Sequence, residues 1–480
     1  MSSNCHWIIV ALLTLLTLAQ PAQAKRPNVL FIAVDDLRPE LGCYGERQMI
    51  TPRLDQLARQ GRLFKRHYVQ VPTCGASRFA LLTGLRPSFS RALGNGAFGR
   101  LSRANNRIRT LPQILKQSGY ETVCIGKISH SPDGKVYTYR GKGDGHREMP
   151  GSWTRLATPY GKWKYGWGAF FGYSNGIGRT FHPHPTPTEM ADVDDRGYPD
   201  GLIADAALEE LDKLKDKPFF LAVGFYKPHL PFNAPKKYWD LYDRSKIKLS
   251  PNPTRPGGIN RASWHGSGEM FGRYRHPKQR RGKAHALRLR HGYFACVSYI
   301  DTQIGKLLDR LRQLKLDKNT IVIVWGDHGW HLGDHFIWGK HSLFDRALRS
   351  ALIIRVPGQK SPGVATSGIA ETLDLMPTIA DYCQVMLPAN ISGKSLRGIL
   401  DDPNQPGKKG AFGYWRAGVS LRTRRWRLTS YKPLARKGKK PDPVLTELYD
   451  HRRDPWEMNN VAAKHPDVVK RLFAQLRRDG

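Results

Sequence analysis

Continuous apolar runs of strand length recur along this chain, separated by segments with helical spacing. The runs cover residues 28–34, 122–125, 219–225, 320–325 and 351–356. An unbroken apolar run is typical of a parallel strand that is covered on both faces, whereas strict alternation is typical of a half-exposed one. Strands that alternate with helices predict an α/β fold with a large, mostly parallel sheet flanked by helices.

The helical segments have recognisable ends and faces. Residues 51–61 begin with Thr51-Pro52 and stop at Gly61, which is the usual layout of a short helix. The clearest helix spans residues 293–314, whose apolar side chains fall on one face and predict core packing. Further helices are predicted at residues 111–118, 205–214 and 373–382.

The pattern changes near residue 389, where short strand-like runs are separated by turn residues. These runs cover residues 412–415, 419–422 and 426–431. They predict an antiparallel sheet, closed by a helix over residues 466–476 with a proline in its first turn. We therefore predict a main domain over residues 25–388 and a smaller C-terminal α+β subdomain over residues 389–480.

The N-terminus has the layout of an export signal. Residues 8–18 form a short apolar run, Ala22-Gln23-Ala24 is a small-x-small cleavage site, and Lys25 would open the mature chain. We therefore predict a signal peptide over residues 1–24 and a secreted or periplasmic protein. The run is too short to span a bilayer, so no stable membrane anchor is expected.

The formal net charge of +37 at pH 7 indicates which class of partner this protein attracts. A charge this high attracts polyanions, and the candidates are sulfated polysaccharide, nucleic acid and an anionic membrane surface. Basic side chains are densest at residues 273–291 and 437–440, although such runs are usually solvated faces. No helix-turn-helix, zinc-finger or RNP-type pattern is present, so we expect no nucleic-acid partner and favour a sulfated polymer.

Residues 131–199 have little periodicity and are rich in Gly, Pro, Tyr and Trp. So long an irregular stretch in a compact protein is usually functional or mobile. We interpret it as loops beside the substrate.

Polar side chains follow two of the predicted strands. Asp35 and Asp36 come directly after the first strand, and Asp327 and His328 come after the fourth. Because open α/β sheets bind ligands at the carboxyl ends of their strands, we expect these residues to meet and to form a site for a divalent cation. Zinc is an alternative, since three histidines crowd near the second pair, but no His-Glu-x-x-His pattern occurs.

Lysines and histidines occupy similar positions. Lys127 and His130 follow the second strand, and His229 follows the third between two prolines that hold it in extended backbone. Lys340 comes shortly after the second acidic pair. We interpret the histidines as candidate acids or bases and the lysines as candidate anion-binding groups.

The stretch around Cys74 supplies a candidate nucleophile. Arg78 lies four places after the cysteine, and a helix-like apolar run then stops at Thr83-Gly84. This layout places Cys74 at a helix N-terminus, where backbone N–H groups favour an anion, with Arg78 one turn along.

The sequence Cys74-Gly75-Ala76-Ser77-Arg78, followed by Leu-Leu-Thr-Gly, resembles the signature of the type I sulfatases of the alkaline-phosphatase-like superfamily. Ala76 stands where most members have proline. The resemblance extends over most of the mature chain and is strongest to the iduronate-2-sulfatase subfamily. Further matching segments lie at residues 34–39, 126–130, 219–224, 227–229, 293–303 and 327–330.

The resemblance implies a role for each candidate residue. Oxidation of Cys74 to formylglycine by a formylglycine-generating enzyme would supply the nucleophile for a sulfated sugar substrate. Arg78, Lys127 and Lys340 would bind the sulfate, and His130 and His229 would transfer protons. One calcium ion would be held by Asp35, Asp36, Asp327, His328 and the modified Cys74.

Two other functions stay open at this point. A metal-dependent phosphodiesterase or phosphonate monoester hydrolase of the same superfamily would share the Asp-His-Gly motif. A polyanion-binding protein without activity would share the basic charge. The pairing of Cys43, Cys124, Cys296 and Cys383 is also open, since three pairings and the reduced state are all compatible with the sequence.

Overall fold

The computed structural model describes residues 26–101, 107–179, 185–416, 418–432 and 445–480. The signal peptide predicted at residues 1–24 lies outside these residues, as does the basic run at residues 437–440.

Sixteen strands occur in the part of the chain that the structure describes. In chain order they are β1 (Asn28–Val34), β2 (Arg62–Tyr68), β3 (Glu121–Gly126), β4 (Arg155–Leu156), β5 (Thr188–Ala191), β6 (Phe219–Phe225), β7 (Phe232–Pro235), β8 (Thr320–Gly326), β9 (His331–Leu332), β10 (Trp338–Gly339), β11 (Leu352–Arg355), β12 (Thr366–Glu371), β13 (Ala411–Trp415), β14 (Gly418–Arg422), β15 (Trp426–Tyr431) and β16 (Thr446–Asp450).

Thirteen α-helices accompany them in the same described ranges. They are α1 (Pro52–Gln60), α2 (Cys74–Thr83), α3 (Pro87–Ser90), α4 (Leu111–Gln117), α5 (Gly166–Phe170), α6 (Pro199–Leu214), α7 (Lys236–Trp239), α8 (Gly268–Arg273), α9 (Lys283–Gln313), α10 (Asp345–Leu348), α11 (Leu375–Cys383), α12 (Arg397–Asp401) and α13 (Pro466–Asp479).

The main sheet has eight strands in the order β12-β2-β11-β8-β1-β6-β3-β4. β11 runs antiparallel to both of its neighbours, and every other pair in the sheet is parallel. The large, mostly parallel sheet predicted from the sequence is therefore confirmed. Its central strands end level with one another, because Val34 is paired with both Gly326 and Phe225.

Successive side chains of β1 point to opposite faces of the sheet, and both faces are buried. The strand is therefore apolar from Val29 onwards. Leu30, Ile32 and Val34 pack in one core cluster with side chains of α1, α6 and α9. Val29 and Phe31 point to the other face and pack with side chains of α2, α4 and α11. Both faces of the sheet are thus covered by helices, as expected for a central parallel strand.

The small sheet is an antiparallel meander of β13, β14, β15 and β16. Leu472 of α13 packs on it with Leu421 and Leu428, which completes the predicted α+β unit. Val71 and Ala76 belong to the same apolar cluster although they lie far earlier in the chain. The domain boundary at residue 388 therefore stays a prediction, since the two units share side chains.

Several elements differ from the sequence-based expectations. β2, β12 and β16 were not predicted, because charged or small polar residues interrupt their apolar pattern. Helix α9 begins at Lys283 and not at residue 293, so residues 283–291 of the basic run form its first turns. The apolar stripe misses these turns, although Leu289 within them is buried in the core, because basic residues surround it in the sequence.

The described cysteines are all free, so the reduced state is the one that the structure has. None of the described helices combines the length and the apolar character that crossing a membrane requires.

A buried carboxylate joins the two sheets. Glu371, at the end of β12, accepts two hydrogen bonds from Arg86 at 3.0 and 2.9 Å. It also accepts one from Lys408 Nζ at 2.7 Å and one from the backbone N–H of Phe412, on β13, at 2.9 Å. Although burial opposes ionisation, Lys408 and Arg86 lower the pKa of Glu371 to about 2.

We expect Glu371→Gln to lower the free energy of unfolding by about 3 kcal/mol at neutral pH, because it leaves buried cations without their counter-charge. A folded-state pKa below the ordinary 4.5 stabilises the protein above pH 4.5, and this contribution is lost as the pH falls towards 2. The difference between the wild type and the variant in denaturant titrations should therefore shrink below pH 4.5. Exposed Glu209→Gln is the matched control and should change the free energy by less than about 0.5 kcal/mol. A difference that stayed constant down to pH 3 would contradict this role of Glu371.

Candidate active site

Four neighbouring strands of the main sheet deliver polar side chains to one edge. Asp35 and Asp36 follow β1, Asp327 follows β8, Lys127 follows β3 and His229 lies just past β6. The backbone N–H of Asp36 donates a hydrogen bond to Asp327 Oδ1 at 3.0 Å. The ends of β1 and β8 are therefore in direct contact, as the sequence predicts.

Helix α2 brings Cys74 to this edge as its first residue. The N–H of Gly75 is capped by Asn95 Oδ1 at 3.0 Å, so a distant side chain fixes the helix start. A Cβ at Gly75 would come within 2.5 Å of the Asn95 backbone, which is why only glycine fits there. At the other end Gly84 has φ 65° and closes the helix with a bond to Ala80 O.

The Cys74 thiol lies among charged groups. Its Sγ is 3.4 Å from Asp35 Oδ1, 3.4 Å from His328 Nε2 and 3.2 Å from Lys340 Nζ. The Nδ1–H of His328 donates to the Gly329 carbonyl at 3.0 Å, which turns Nε2 towards the thiol. Burial raises the pKa of Cys74 to about 12, and Asp35 adds to this shift while Lys127 opposes it.

Three cations surround the same carboxylates. Arg78 Nε donates to Asp327 Oδ2 at 2.9 Å, and Lys340 Nζ donates to Asp36 Oδ1 at 2.8 Å. Lys127 Nζ forms an ion pair with Asp35. These side chains are at most 3% exposed, so the charges face one another with little screening by water.

The two adjacent aspartates have opposite pKa shifts. Burial raises the pKa of Asp36 well above its usual range, and the neighbouring Asp35 adds to this shift although Lys340 opposes it. Burial also disfavours ionisation of Asp35, but Lys127 and the other cations outweigh it and hold its pKa well below the usual range. The protein cations thus outweigh the effect of burial on the pKa of Asp35 but not on that of Asp36.

His229 joins the cluster, because one of its ring nitrogens lies within 4.8 Å of ligand atoms of Asp35, Asp36 and Cys74. Its Nδ1–H donates to the Leu230 carbonyl at 2.7 Å, so Nε2 faces the site, 3.9 Å from Asp36 Oδ2. Nε2 is also 3.5 Å from Glu269 Oε1, and Glu269 in turn contacts Arg179 at 3.1 Å. Burial and the charge of Lys340 lower the pKa of His229 well below its usual value.

His130 lies further out than the other predicted residues. Its ring packs edge-on against Trp167 at 5.4 Å, and its Nδ1 has no hydrogen-bond partner among the described residues. Burial and the charge of Lys127 lower its pKa well below the usual value. His130 therefore borders the cluster without joining its ion pairs.

Comparison with known proteins gives this arrangement a family. The family model described as "Sulfatase" matches residues 27–385, which is most of the chain. The chain belongs to the sulfatase family. A second family model, described as "N-sulphoglucosamine sulphohydrolase, C-terminal", matches residues 333–479 of this sulfatase.

Individual relatives agree with that assignment. The human iduronate 2-sulfatase is 32% identical over 439 residues, covering 79% of this chain and 76% of the relative. A phosphonate monoester hydrolase from Agrobacterium radiobacter superposes with a TM-score of 0.76 at 24% identity, covering 94% of this chain and 95% of its own. A structure solved in complex with D-glucosamine-2-N,6-O-disulfate superposes with a TM-score of 0.72 at 22% identity, covering 95% and 98%. These two structures share the alkaline-phosphatase-like fold.

The sulfatase cluster has the donor set that a divalent cation requires. Ligand atoms of Asp35, Cys74, Asp327 and His328 lie within 4.8 Å of one another, and a second such group joins Asp36 to the same centre. The buried Asp36 Oδ2 has no hydrogen-bond donor among the described residues. A hard cation would supply the missing partner of this oxygen, since carboxylate oxygens are its preferred ligands.

A third acidic group in the described chain does not fit a metal. Asp345, His451 and Glu457 are close enough to share an ion. However, Arg422 donates to Asp345 at 2.9 Å and Arg427 donates to Glu457. These guanidinium groups already balance the two carboxylates.

Sequence reasoning missed two residues of the sulfatase site. Asn95 caps α2 from a segment without periodicity, and Glu269 reaches His229 from the short helix α8. Neither residue follows a strand end or belongs to a recognisable motif. No signal in the sequence would have selected them.

We expect Ca²⁺ to raise the thermal unfolding midpoint of this sulfatase, because a ligand at 100 times its Kd stabilises the folded state by about 2.7 kcal/mol. Asp36→Asn should abolish the increase, since it removes the carboxylate whose Oδ2 has no donor in the described chain. Asp345→Asn in the arginine-balanced group is the control: it should lower the midpoint but keep the increase on adding Ca²⁺. Equal Ca²⁺ responses in the wild type and Asp36→Asn, by scanning calorimetry, would contradict this assignment.

Proposed function

We propose that this sulfatase hydrolyses a sulfate ester on a sulfated sugar, with iduronate-2-sulfatase-like action on an oligosaccharide or polysaccharide. The observation that carries the proposal is the position of Cys74, at the first turn of α2 and 3.2 Å from Lys340 Nζ. The human relative named iduronate 2-sulfatase supports the choice of substrate class.

The cations of the cluster would bind the sulfate group. Arg78, Lys127 and Lys340 are buried and held by carboxylates, so they are fixed in place before the substrate arrives. Fixed positive charges in a site of low polarity stabilise the negative charge that develops on the sulfate oxygens in the transition state. This electrostatic effect is usually the largest contribution to catalysis in such transfers.

Two groups implied by the family would complete the site. When present, formylglycine at position 74 supplies an oxygen nucleophile in place of sulfur, and a divalent cation such as Ca²⁺ supplies Lewis acidity towards the sulfate oxygens. Asp35, Asp36, Asp327 and His328 would hold the cation. The unmodified thiol is a poor substitute, because its raised pKa keeps it protonated at neutral pH.

His229 is our candidate for the acid that protonates the departing sugar oxygen. The Leu230 carbonyl fixes the proton on Nδ1, so Nε2 is the atom that can exchange a proton with the substrate. Glu269, 3.5 Å from Nε2, opposes the burial and the charge of Lys340 that together lower the pKa of His229, and so helps the ring to hold a proton. We assign His130 to proton transfer on the side of the nucleophile, where it borders the cluster.

The proposal has consequences outside the active site. A formylglycine-generating enzyme would have to oxidise Cys74, and we propose that it does so during export to the periplasm or the medium. The basic surface suits a sulfated polymer, and we propose neither a nucleic-acid partner nor a membrane anchor.

A phosphonate monoester or phosphate diester hydrolase is the second candidate, because a phosphonate monoester hydrolase shares the fold at a TM-score of 0.76. Turnover of 4-nitrophenyl sulfate and of the matching phosphonate and phosphate esters separates the two. A preference for the phosphorus esters by several orders of magnitude would reject the sulfatase assignment. A polyanion-binding protein would release no sulfate even with Cys74 converted.

We expect Cys74→Ala to abolish sulfate release from sulfated oligosaccharides, because it removes the precursor of the nucleophile. The wild-type peptide that contains residue 74 should show by mass spectrometry the thiol-to-aldehyde conversion. Cys43→Ala is the control, since Cys43 is free and lies outside the cluster, and it should retain activity. Substantial sulfate release by Cys74→Ala would reject the assigned nucleophile.

We expect the effect of His229→Gln to depend on the leaving group. Turnover of a sulfated sugar should fall by roughly 10²- to 10⁴-fold, since its alcohol leaves only when protonated. Turnover of 4-nitrophenyl sulfate should fall far less, because nitrophenolate leaves without an acid. His130→Gln is the comparison and should slow both substrates alike. Equal losses on both substrates in His229→Gln would reject this residue as the general acid.

A further inference from the structure

The segment that joins α8 to α9 carries an excess of exposed positive charge. Residues 273–283, the basic segment, contain six arginines and lysines, and no acidic residue occurs between Glu269 and Asp301. Five of the six basic side chains are exposed, namely Arg273, Arg275, Lys278, Arg280 and Lys283. None of these five forms an ion pair with another described residue. Neighbouring cations of this kind repel one another, and a bound polyanion relieves that repulsion.

Contacts with neighbouring elements hold the basic segment in place. The guanidinium group of Arg281 donates to the carbonyl of Phe336 at 3.2 Å and to that of Gly266 at 3.0 Å. A ring nitrogen of His276 lies 2.9 Å from one of His285, on the first turn of α9. A segment that is fixed before its ligand arrives loses less conformational entropy on binding. The exposed cations are therefore presented on a preformed surface.

The basic segment adjoins the active site on the side of His229. Glu269, whose carboxylate lies 3.5 Å from His229 Nε2, precedes Arg273 by four residues, which is about 6 Å along the axis of α8. His265, shortly before α8, contacts the Lys340 carbonyl at 3.1 Å. Because His229 is our candidate for the acid that protonates the departing sugar oxygen, the remainder of a polymeric substrate would extend from the site on this side.

We propose that the basic segment is an exosite for a sulfated polysaccharide, which it binds beyond the sugar that carries the reacting sulfate. The proposal rests on the sugar sulfatase activity proposed above and narrows its substrate to a polymer with several sulfate groups. Four of the six basic residues are arginines, whose guanidinium groups bind tetrahedral oxyanions through two parallel N–H donors. Sulfate groups along the chain would replace the missing acidic partners of these side chains.

The position of the basic segment favours a sulfated chain over other polyanions. A polysaccharide whose reacting sulfate is bound among Arg78, Lys127 and Lys340 brings its next sulfate groups to the basic segment as part of the same molecule. The second contact is then intramolecular, so its affinity adds to that of the first. A nucleic acid offers the basic segment phosphate groups but offers the active site no sulfate ester, and it gains no such advantage.

Two triple variants that remove the same charge test this assignment. The test variant replaces three exposed side chains of the basic segment, Arg275→Gln, Lys278→Gln and Lys283→Gln. The control variant replaces three exposed lysines at the opposite edge of the main sheet, Lys215→Gln, Lys315→Gln and Lys318→Gln. Those lysines lie beside the starts of β6 and β8, whereas the active site lies at the carboxyl ends of these strands. A seven-residue strand spans roughly 23 Å, well beyond the Debye length of about 8 Å at physiological salt.

Binding is measured in a Cys74→Ala background by titration calorimetry over a range of NaCl concentrations, with heparin and duplex DNA as probes. We expect the test variant to bind heparin about tenfold more weakly than the parent at physiological salt. The slope of log Kd against log salt should fall by roughly two to three, since each neutralised sulfate group releases about one counterion. The control variant should bind heparin within about twofold of the parent, because its substitutions are screened.

Inhibition of 4-nitrophenyl sulfate turnover then shows whether the bound polymer reaches the active site. With Cys74 intact, we expect heparin to inhibit the parent and control enzymes alike and the test variant only at about tenfold higher concentration. Each enzyme is compared with its own turnover without heparin.

Unchanged heparin affinity in the test variant would overturn the proposal, and so would equal losses in the two triple variants. Tighter binding of duplex DNA than of heparin by the parent would reject sulfated polysaccharide as the partner. Heparin binding that depends on the basic segment without inhibiting turnover would separate the segment from the active site and reject an exosite. Absence of any turnover by the parent would count against the proposed function, whereas the calorimetric results decide the partner of the basic segment separately.

Discussion

Three buried carboxylates and three buried cations at the carboxyl ends of β1 and β8 are the constraint on which the rest of this structure depends. Isolated, each of these charges would cost several kcal/mol to remove from water. Together they compensate one another, and every cation is held by a carboxylate on a different segment. The sheet supports this arrangement because its central strands end at the same level and are covered on both faces.

The pairing of charges in the cluster is incomplete, and the atom left unpaired is the one available for function. Asp36 has an oxygen without a donor in the described chain and a raised pKa, whereas Asp35 is strongly compensated. A site with an unpaired carboxylate oxygen beside fixed cations can hold both a metal ion and an anion. Such a site suits sulfate transfer better than the binding of either ion alone.

The surroundings of the cluster divide into two different surfaces. On the side of His229, Glu269 and Arg179 bring further charges close to the site. On the side of His130, the wall is aromatic, and Arg179 also lies 6.0 Å from the centre of its Tyr139 ring. The high positive charge of the protein would attract a polyanion at long range.

The sequence by itself determined the apolar strands, their order of alternation with helices and the residues that follow strand ends. Asp35, Asp36, Lys127, His229 and Asp327 could be selected because strand ends in a parallel sheet converge, which is a property of the backbone. Only the tertiary structure decided the antiparallel direction of β11, the joining of the two sheets by Glu371 and the positions of Asn95 and Glu269. These features depend on contacts between irregular segments far apart in the chain, for which side-chain periodicity carries no information.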